Sequence, residues 1–393
     1  MHALPKGYRL ATAKAGFRKG ERDDLALLIS DAPAALAGVF TTNIFKAAPV
    51  LVGMETVRTR QNARAVVVNA GRANACTGDE GIAKCRATLD MVAKATGLQA
   101  HEILPMSTGV IGEQLRLELW EKAVPPLAHT LGTANLESFA RAIMTTDAFP
   151  KFAARELRLA GGTVRLCGAA KGAGMICPDM ATMLAVMFCD AAVDTVLWRD
   201  MFRRAADVTF NRVSVDGDTS TNDTLIGLAN GMSGVTILED EFPQLEDAVR
   251  ELLGNIAYML VQDGEGATKV MHIRVRGAAS PEDAELVART VGHSPLVKTA
   301  MFGRDPNWGR IAAAAGRSGA AFKAENVTIW LCGVQLFKNG QPTGVDVDAV
   351  LTEPLDRRDI PIEIDLGAGH AEYLFLASDL GHDYVSCNAD YRS

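Results

Sequence analysis

The chain has 393 residues, of which 48% are hydrophobic and 22% charged, and its formal net charge is −7. This composition is that of an ordinary globular protein, and nothing in the sequence indicates a disordered or repetitive chain. The Lys and Arg residues are scattered, so the clustered positive charge of a nucleic-acid-binding protein is missing. The longest apolar run near the middle, Met180–Cys189, is too short to span a membrane.

The seven cysteines are odd in number, widely spaced and contain no CxxC pair. That spacing disfavours structural zinc and thioredoxin-like redox chemistry, and the histidines show no metal-ligand spacing either. The basic start of the chain lacks the apolar core of a signal peptide. We therefore predict a cytoplasmic protein with reduced thiols, no metal site and no membrane or nucleic-acid partner.

The first elements along the chain combine strand and helix. Ala65–Ala70 is a compact apolar run typical of a buried strand, and a turn-rich stretch follows it. Ile82, Cys85, Leu89 and Val92 then recur at helical spacing, which predicts an amphipathic helix.

The second half continues the mixture. An apolar stripe predicts a helix over Pro243–Gln262, and alternation predicts a half-buried strand over Val270–Arg276. Ser280 followed by Pro281 and two acidic residues is typical of a helix start. The chain is therefore predicted to be a mixed α and β protein. The oxygen-rich stretch Asp216–Asp223 lacks the calcium-loop pattern and is predicted to be a turn.

The central segment Lys171–Leu184 reads KGAGMICPDMATML, a glycine loop and a proline turn followed by a threonine at the start of a buried run. Two interpretations are open. The segment is either a tight turn before an ordinary strand, or a self-cleaving site in which Thr182 Oγ attacks the Ala181 carbonyl. Cleavage would free the α-amine of Thr182, whose pKa of about 8 suits a general base beside the hydroxyl.

Motifs over nearly the whole chain resemble the glutamate N-acetyltransferase/ornithine acetyltransferase family of arginine biosynthesis. They include the central segment and GVFTTN (Gly38–Asn43), NACTG (Asn74–Gly78), STG (Ser107–Gly109), MTTDAFPK (Met144–Lys151), DGEGATK (Asp263–Lys269), FGRDPNWGRI (Phe302–Ile311) and CNADYRS (Cys387–Ser393). The resemblance favours cleavage between Ala181 and Thr182, with Thr182 as the nucleophile.

The same resemblance implies the other site residues. Thr108 and Gly109 would stabilise the oxyanion of the tetrahedral intermediate, through a hydroxyl and a main-chain N–H. The implied substrate-binding residues are Thr145 or Thr146, Lys171, Thr182, Glu265, Asn388 and Ser393. Ser393 stands where the family more often has Thr. Two further departures are Cys177, where Ala is usual, and Arg72, where a small or amide residue is usual.

The resemblance also implies an α+β fold, an αββα-type sandwich similar to the aminopeptidase/ornithine acetyltransferase fold. Cleavage would give an α chain of residues 1–181 and a β chain of residues 182–393, interlocked and paired into a heterotetramer. Acetyl would pass from N2-acetylornithine to Thr182 and then to glutamate, without a metal or bound cofactor. Some members of the family also accept acetyl-CoA as donor, and no motif separates the two kinds.

Two other functions fit parts of the pattern. An aminopeptidase of related fold with an N-terminal nucleophile would use the same self-cleavage, but the MTTD and NADYRS motifs favour the transferase. A non-catalytic remnant that binds amino acids would need neither the Ala181–Thr182 junction nor both oxyanion residues, and all of these are present.

Overall fold

The computed structural model of the chain describes residues 3–177 and 183–390. The predicted cleavage bond between Ala181 and Thr182 lies outside these residues, as does Ser393. Two compact units are formed. The first comprises the described residues of Met1–Asn211 together with Asp218–Leu260, and the second comprises Arg212–Gly217 with the described part of Val261–Tyr391.

The strands in chain order are β1 (Tyr8–Ala13), β2 (Leu25–Phe40), β3 (Asn62–Arg72), β4 (Ile103–Val110), β5 (Lys151–Leu159), β6 (Gly162–Lys171), β7 (Leu184–Cys189), β8 (Val213–Ser214), β9 (Thr224–Ala229), β10 (Val270–Ala278), β11 (Thr328–Leu331), β12 (Val334–Lys338), β13 (Gln341–Pro342), β14 (Asp359–Asp365) and β15 (Ala371–Ser378). The predicted strands correspond to β3, β7 and β10, and all three are confirmed.

The α-helices are α1 (Ala48–Thr59), α2 (Gly78–Thr96), α3 (Leu117–His129), α4 (Leu136–Ile143), α5 (Thr195–Val208), α6 (Phe242–Gln262), α7 (Pro281–Gly292), α8 (Pro295–Phe302), α9 (Trp308–Gly316), α10 (Val347–Asp356) and α11 (His382–Asp390). The helices predicted from periodicity are α2 and α6, and both are confirmed. Ser280 caps α7 as predicted, because its side chain accepts a hydrogen bond from Asp283 N–H. Across the described residues, none of these helices is long and apolar enough to cross a membrane.

The described part of the first unit forms one eight-stranded sheet in the order β4-β3-β2-β9-β7-β6-β5, with β1 paired to β2. The long strand β2 pairs with β3 through Leu25–Ile29 and with β9 through Ala35–Phe40. Strands β7 and β9 are parallel, and β6 is antiparallel to β7. The starts of β7 and β9 therefore lie beside the end of β6, at one edge of the sheet.

Both faces of this sheet carry apolar side chains because the strands are covered on two sides. On one face Val67 and Leu27 pack with Leu89 of α2 and Trp120 of α3. On the other face Val66, Val186 and Ile226 belong to a cluster that includes Phe139 and Ile143 of α4. The two layers of packing hold the strand ends in fixed positions.

The second unit has a seven-stranded sheet in the order β13-β12-β11-β14-β10-β15-β8, counted over the described residues. The alternation predicted for β10 is observed. Met271, Ile273 and Val275 are buried with residues of α7 and α9, whereas Arg274 pairs with Glu372 in an exposed ion pair. The predicted α+β class is confirmed.

Two glycines face each other near the ends of the paired strands β3 and β4. Gly71 pairs with Gly109 in the parallel register, and a Cβ added at Gly109 would lie 2.3 Å from the Gly71 main-chain carbon. A Cβ added at Gly71, where φ is 154°, would lie 2.8 Å from the Phe17 Cβ and 2.9 Å from the Phe17 carbonyl oxygen. Only glycine fits either position without movement of the backbone.

Gly71→Ala should therefore lower the free energy of unfolding by about 2 kcal/mol or more, since a methyl group would force main chain apart. Gly97→Ala is the matched control, because Gly97 also has a positive φ of 75° but has nothing within 4 Å of an added Cβ. Urea unfolding of both variants measures the difference. Equal losses for the two would contradict the steric argument.

Candidate active site

Thr108 and Gly109, the predicted oxyanion residues, are at the carboxyl end of β4. Thr108 is opposite Ala70 of β3, and Gly109 is opposite Gly71. Both residues are half-buried. The preceding Ser107 is buried, and its hydroxyl donates to Asn69 Oδ1 at 2.5 Å. The strand end that carries the predicted oxyanion donors is thus anchored by a neighbouring side chain.

Lys171 contacts the predicted oxyanion threonine. It is the last residue of β6 and pairs with Leu184, the first residue of β7. Its side chain is buried, and Nζ donates to Thr108 Oγ1 at 3.2 Å. Because β4 and β6 are not neighbours in the sheet, this contact joins two predicted site residues that are distant in sequence and sheet order.

Asp147 of the MTTD motif organises the start of the glycine loop. Its Oδ1 accepts from Lys151 Nζ at 2.7 Å and from Gly172 N–H at 2.6 Å, and its Oδ2 accepts from Thr145 N–H at 2.7 Å. The Asp147 and Lys151 side chains are fully buried. Burial alone would raise the pKa of Asp147, but Lys151 and Lys171 outweigh it and hold that pKa below its usual value.

The two predicted threonines of MTTD differ in their surroundings. Thr145 is partly buried, and Arg18 and Arg22 donate to its carbonyl oxygen, both at 3.2 Å. Thr146 is exposed. These contacts fix the main chain at residue 145, and the contribution of either hydroxyl to substrate binding stays a prediction.

The segment Thr219–Thr224, here called the 219–224 segment, holds the chain on both sides of the predicted cleavage bond. Before the bond, Thr219 Oγ1 donates to the carbonyl oxygen of Cys177 at 2.9 Å. After it, Thr224 N–H donates to the carbonyl oxygen of Met183 at 2.9 Å. Asn222 Nδ2 also donates to the carbonyl oxygen of Ser107 at 2.8 Å. One short segment therefore positions the approach to Thr182 and the strand end that carries Thr108.

Asp223 adds a buried acid at this point. Its side chain is 1% exposed, and its carboxyl accepts hydrogen bonds from Met183 N–H and from the main chain and hydroxyl of Ser220. Burial raises the pKa of Asp223 well above its usual value, although the Ser220 hydrogen bonds and the positive charge of Lys171 partly offset this.

Two predicted substrate-binding residues meet in the second unit. Asn388 Nδ2, on α11, donates to Glu265 Oε2 at 2.8 Å. Gly266 permits this approach, since its φ is 69° and an added Cβ would lie 2.7 Å from the main-chain nitrogen of Tyr384. The contact gives DGEGATK and the carboxyl-terminal motif a shared structural role.

The two departures from the family pattern are both accommodated. Arg72 forms an ion pair with Glu113, with Nε 2.6 Å from Oε2. Cys177 is buried, and its carbonyl oxygen accepts from Thr219. None of the seven cysteines forms a disulfide bond among the described residues.

The model of the ArgJ family matches residues 9–393. The chain belongs to the ArgJ family. It is 64% identical over 393 residues to the arginine biosynthesis bifunctional protein ArgJ of Nitratidesulfovibrio vulgaris, covering 100% of both chains. It is 47% identical over 394 residues to the protein of the same name from Geobacter sulfurreducens, covering 99% of each. The chain in the crystal structure of the ArgJ protein from Bacillus halodurans is 34% identical to this chain, with a TM-score of 0.50. The match covers 51% of this chain and 96% of the Bacillus halodurans chain.

These matches confirm the family and the fold class predicted from the motifs. This member of the ArgJ family is an acetyltransferase of arginine biosynthesis. Of its predicted site residues, the structure brings Thr108 to Lys171 and Glu265 to Asn388.

Sequence reasoning missed the roles of Asp147 and Asp223. Asp147 stands inside a quoted motif, so attention to its charge next to a buried Lys could have found it. Asp223 ends an oxygen-rich stretch that was interpreted only as a turn. The role of Asp223 depends on which strand pairs with β9, and the sequence pattern does not predict that pairing.

Asp147→Asn should lower the free energy of unfolding by about 3–5 kcal/mol at pH 7, because it removes the negative partner of Lys151 from a fully buried ion pair. The folded-state pKa of Asp147 is lowered, so its contribution is present above the unfolded value of about 4 and is lost as the pH falls below it. The gap between parent and variant in urea unfolding should therefore narrow below about pH 4.

Asp31→Asn is the control for the same chemical change at an exposed ion pair. The side chains of Asp31 and Arg9 are 39% and 46% exposed, so the loss should stay below about 1 kcal/mol. A loss at Asp147 as small as the loss at Asp31 would show that the buried pair contributes little.

Proposed function

We propose that the chain moves acetyl from N2-acetylornithine to glutamate through an acetyl-Thr182 intermediate, after cutting itself between Ala181 and Thr182. The observation that carries the proposal is the hydrogen bond from Lys171 to Thr108, placed where the 219–224 segment holds the chain on either side of residues 178–182. This contact joins the predicted oxyanion threonine to the last residue of β6, and the 219–224 segment bonds to Ser107 beside that threonine and to Cys177 and Met183.

Self-cleavage begins with attack of the Thr182 hydroxyl on the Ala181 carbonyl. The peptide C–N bond breaks as an ester forms, and the Thr182 amine takes the proton of the attacking hydroxyl. Water then hydrolyses the ester to the Ala181 carboxylate and the Thr182 hydroxyl. The solved Bacillus halodurans chain supports a cut, because 96% of it corresponds to only 51% of this chain. Strands β6 and β7, on the two sides of the cut, are hydrogen-bonded neighbours, so the chains 1–181 and 182–393 would stay together. We further propose that two such pairs associate.

Acetyl transfer uses the new amine as base. The amine takes the proton of the Thr182 hydroxyl as its oxygen attacks the acetyl carbonyl, and ornithine leaves with a proton. The glutamate amine then attacks the acetyl ester and restores Thr182. Each attack forms a tetrahedral oxyanion, which Thr108 O–H and Gly109 N–H would stabilise. Because Lys171 already donates to Thr108 Oγ1, the Thr108 hydrogen must point elsewhere and is available for the oxyanion.

The remaining predicted residues suit the charges of the substrate. Lys171 offers a cation to an α-carboxylate, and Glu265 offers an anion to a side-chain ammonium. Thr145 or Thr146, Asn388 and Ser393 would add polar contacts. The reaction needs no bound metal or cofactor, and acetyl-CoA would enter only as an alternative acetyl donor. Seven cysteines that form no disulfide bond among the described residues suit the reducing cytoplasm.

Intact mass tests the nucleophile directly. Purified protein should give two species, one ending at Ala181 and one beginning at Thr182, and Thr182→Ala should give one full-length species because it has no attacking hydroxyl. Thr182→Ser keeps a hydroxyl and should still be cut. A single full-length species that is inactive would favour the non-catalytic amino-acid-binding remnant.

A glutamate-dependence assay separates the transferase from an aminopeptidase of related fold. With N2-acetylornithine alone, ornithine release should stop after about one equivalent per Thr182, because the acetyl-enzyme has no acceptor. Adding glutamate should restore turnover with equal amounts of ornithine and N-acetylglutamate. Sustained ornithine release without glutamate would mean that water is the acceptor and the chain is a hydrolase.

A further inference from the structure

The strand end that carries the predicted oxyanion residues lies at an edge of its sheet. In the order of the described strands, β4 comes first and pairs with β3. An edge strand has main-chain groups on one side that no neighbouring strand holds, so its end frays more easily than that of a central strand. Donors for an oxyanion have to be in place before the reaction, because a donor that must first reorganise stabilises less. The end of β4 therefore needs a further support.

Asn222 supplies this support from a part of the sheet that is not adjacent to β4. It lies just before β9, and β3 and β2 separate β9 from β4 in the sheet. Its Nδ2 donates to the carbonyl oxygen of Ala73 at 2.6 Å and to the carbonyl oxygen of Ser107 at 2.8 Å. Ala73 directly follows β3, and Ser107 belongs to β4. One amide group therefore ties the ends of both strands together.

The surroundings of Asn222 fix the direction in which its amide points. Main-chain carbonyls only accept hydrogen bonds, so the atom that faces the two carbonyl oxygens has to be the amide nitrogen with its two hydrogens. The amide oxygen accepts instead from the Thr221 hydroxyl at 2.7 Å. The Asn222 side chain is buried, and both of its hydrogens and its oxygen are used in these contacts. It is therefore held in one orientation.

Few rotations separate the held carbonyl from the predicted oxyanion donors. The peptide unit that contains the Ser107 carbonyl also contains Thr108 N–H and is planar, so a hydrogen bond to that oxygen limits the orientation of the whole unit. The φ and ψ angles of Thr108 then place Gly109 N–H, and its χ1 angle places the hydroxyl. Thr108 Oγ1 also accepts from Lys171 Nζ at 3.2 Å, which limits that last rotation.

We propose that Asn222 is a positioning residue of the oxyanion site, which keeps Thr108 O–H and Gly109 N–H in place. The inference rests on the proposed function, in which these two groups stabilise the oxyanion of acetyl transfer. Asn222 acts through the main chain of β3 and β4 rather than on the reacting atoms. Because the oxyanion develops only as the transition state is reached, loss of this support should slow the chemical step and leave the binding of N2-acetylornithine little changed.

Asn222→Ala tests the proposal, because it removes the amide donor and adds no charge. The protein is mixed with N2-acetylornithine alone, and the single release of ornithine is followed by rapid quenching at several substrate concentrations. The limiting rate constant should fall about tenfold or more, since a misplacement of about 1 Å can cost about 100-fold. The concentration that gives half of the limiting rate should stay within about twofold of the parent value. A limiting rate constant equal to that of the parent would overturn the proposal.

A purely structural role for Asn222 predicts a different result in the same experiment. Loss of folded protein lowers the amount of ornithine released in the single turnover, but the molecules that stay folded react with the rate constant of the parent. The amplitude reports the amount of active protein, and the rate constant reports how well each active molecule works. A smaller amplitude with an unchanged rate constant would therefore contradict the positioning role.

Asn230→Ala is the matched control, because Asn230 directly follows the other end of β9. Asn230 is also buried, and its Nδ2 donates to the carbonyl oxygen of Lys6 at 3.0 Å and to Ser30 Oγ at 3.1 Å. The change removes the same donor group but leaves the tie between β3 and β4 intact. It should lower the temperature of thermal unfolding and keep the parent rate constant. Equal slowing in both variants would mean a general loosening of the sheet and would refute the role of Asn222.

Asn222→Asp decides the matter if Asn222→Ala fails to fold, because Asp keeps the shape of the side chain. A carboxyl group can donate to at most one of the two carbonyl oxygens, and only when it is protonated. The limiting rate constant should again be lower than that of the parent, and the parent value would refute the proposal. A parent that releases no ornithine from N2-acetylornithine would overturn the proposed function itself, whereas equal rate constants in an active parent and variant overturn only this inference.

Discussion

The site of the first unit depends on the 219–224 segment. Its main chain and side chains bond to the carbonyl oxygens of Cys177 and Met183, on either side of the predicted cut, and to Ser107 beside the oxyanion threonine. A self-cleaving bond needs fixed ends so that the attacking hydroxyl and the carbonyl stay close. Parallel pairing of β7 with β9 supplies this, because it starts both strands at the same edge of the sheet.

Buried charge is the second feature that shapes this edge. Lys151 Nζ lies 2.7 Å from Asp147 Oδ1. Lys171 donates to the Thr108 hydroxyl, and its positive charge favours the ionised forms of Asp147 and Asp223. The pairing fixes the glycine loop through Gly172 N–H. The Lys171 ammonium in turn contacts the predicted oxyanion residue Thr108.

Small residues determine which elements can touch. Gly71 and Gly109 allow β3 and β4 to carry the predicted oxyanion residue close to a neighbouring main chain. Gly266 allows α11 to approach the DGEG turn, and Asn388 thereby reaches Glu265. In both cases any side chain larger than the hydrogen of glycine would separate two main-chain segments, and the polar contact between them depends on their closeness. The glycines of these motifs are thus as necessary as their polar residues.

Sequence patterns were enough to predict several of the elements and the family. Local periodicity was sufficient for β3, β10, α2 and α6, because helices and strands bury one face at a fixed spacing. The ordered motifs identified Thr108, Lys171, Glu265 and Asn388, although periodicity and spacing alone left the central segment open between a turn and a cleavage site. Which of these residues contact one another depends on the tertiary fold.

Lys171 reaches Thr108, and Asp223 lies beside Met183, only because the tertiary fold brings distant parts of the chain together. Strand order depends on packing over the whole sheet rather than on neighbouring residues. For that reason, Asp223 looked like part of a polar turn in the sequence and became a buried acid next to the reacting segment only in the fold.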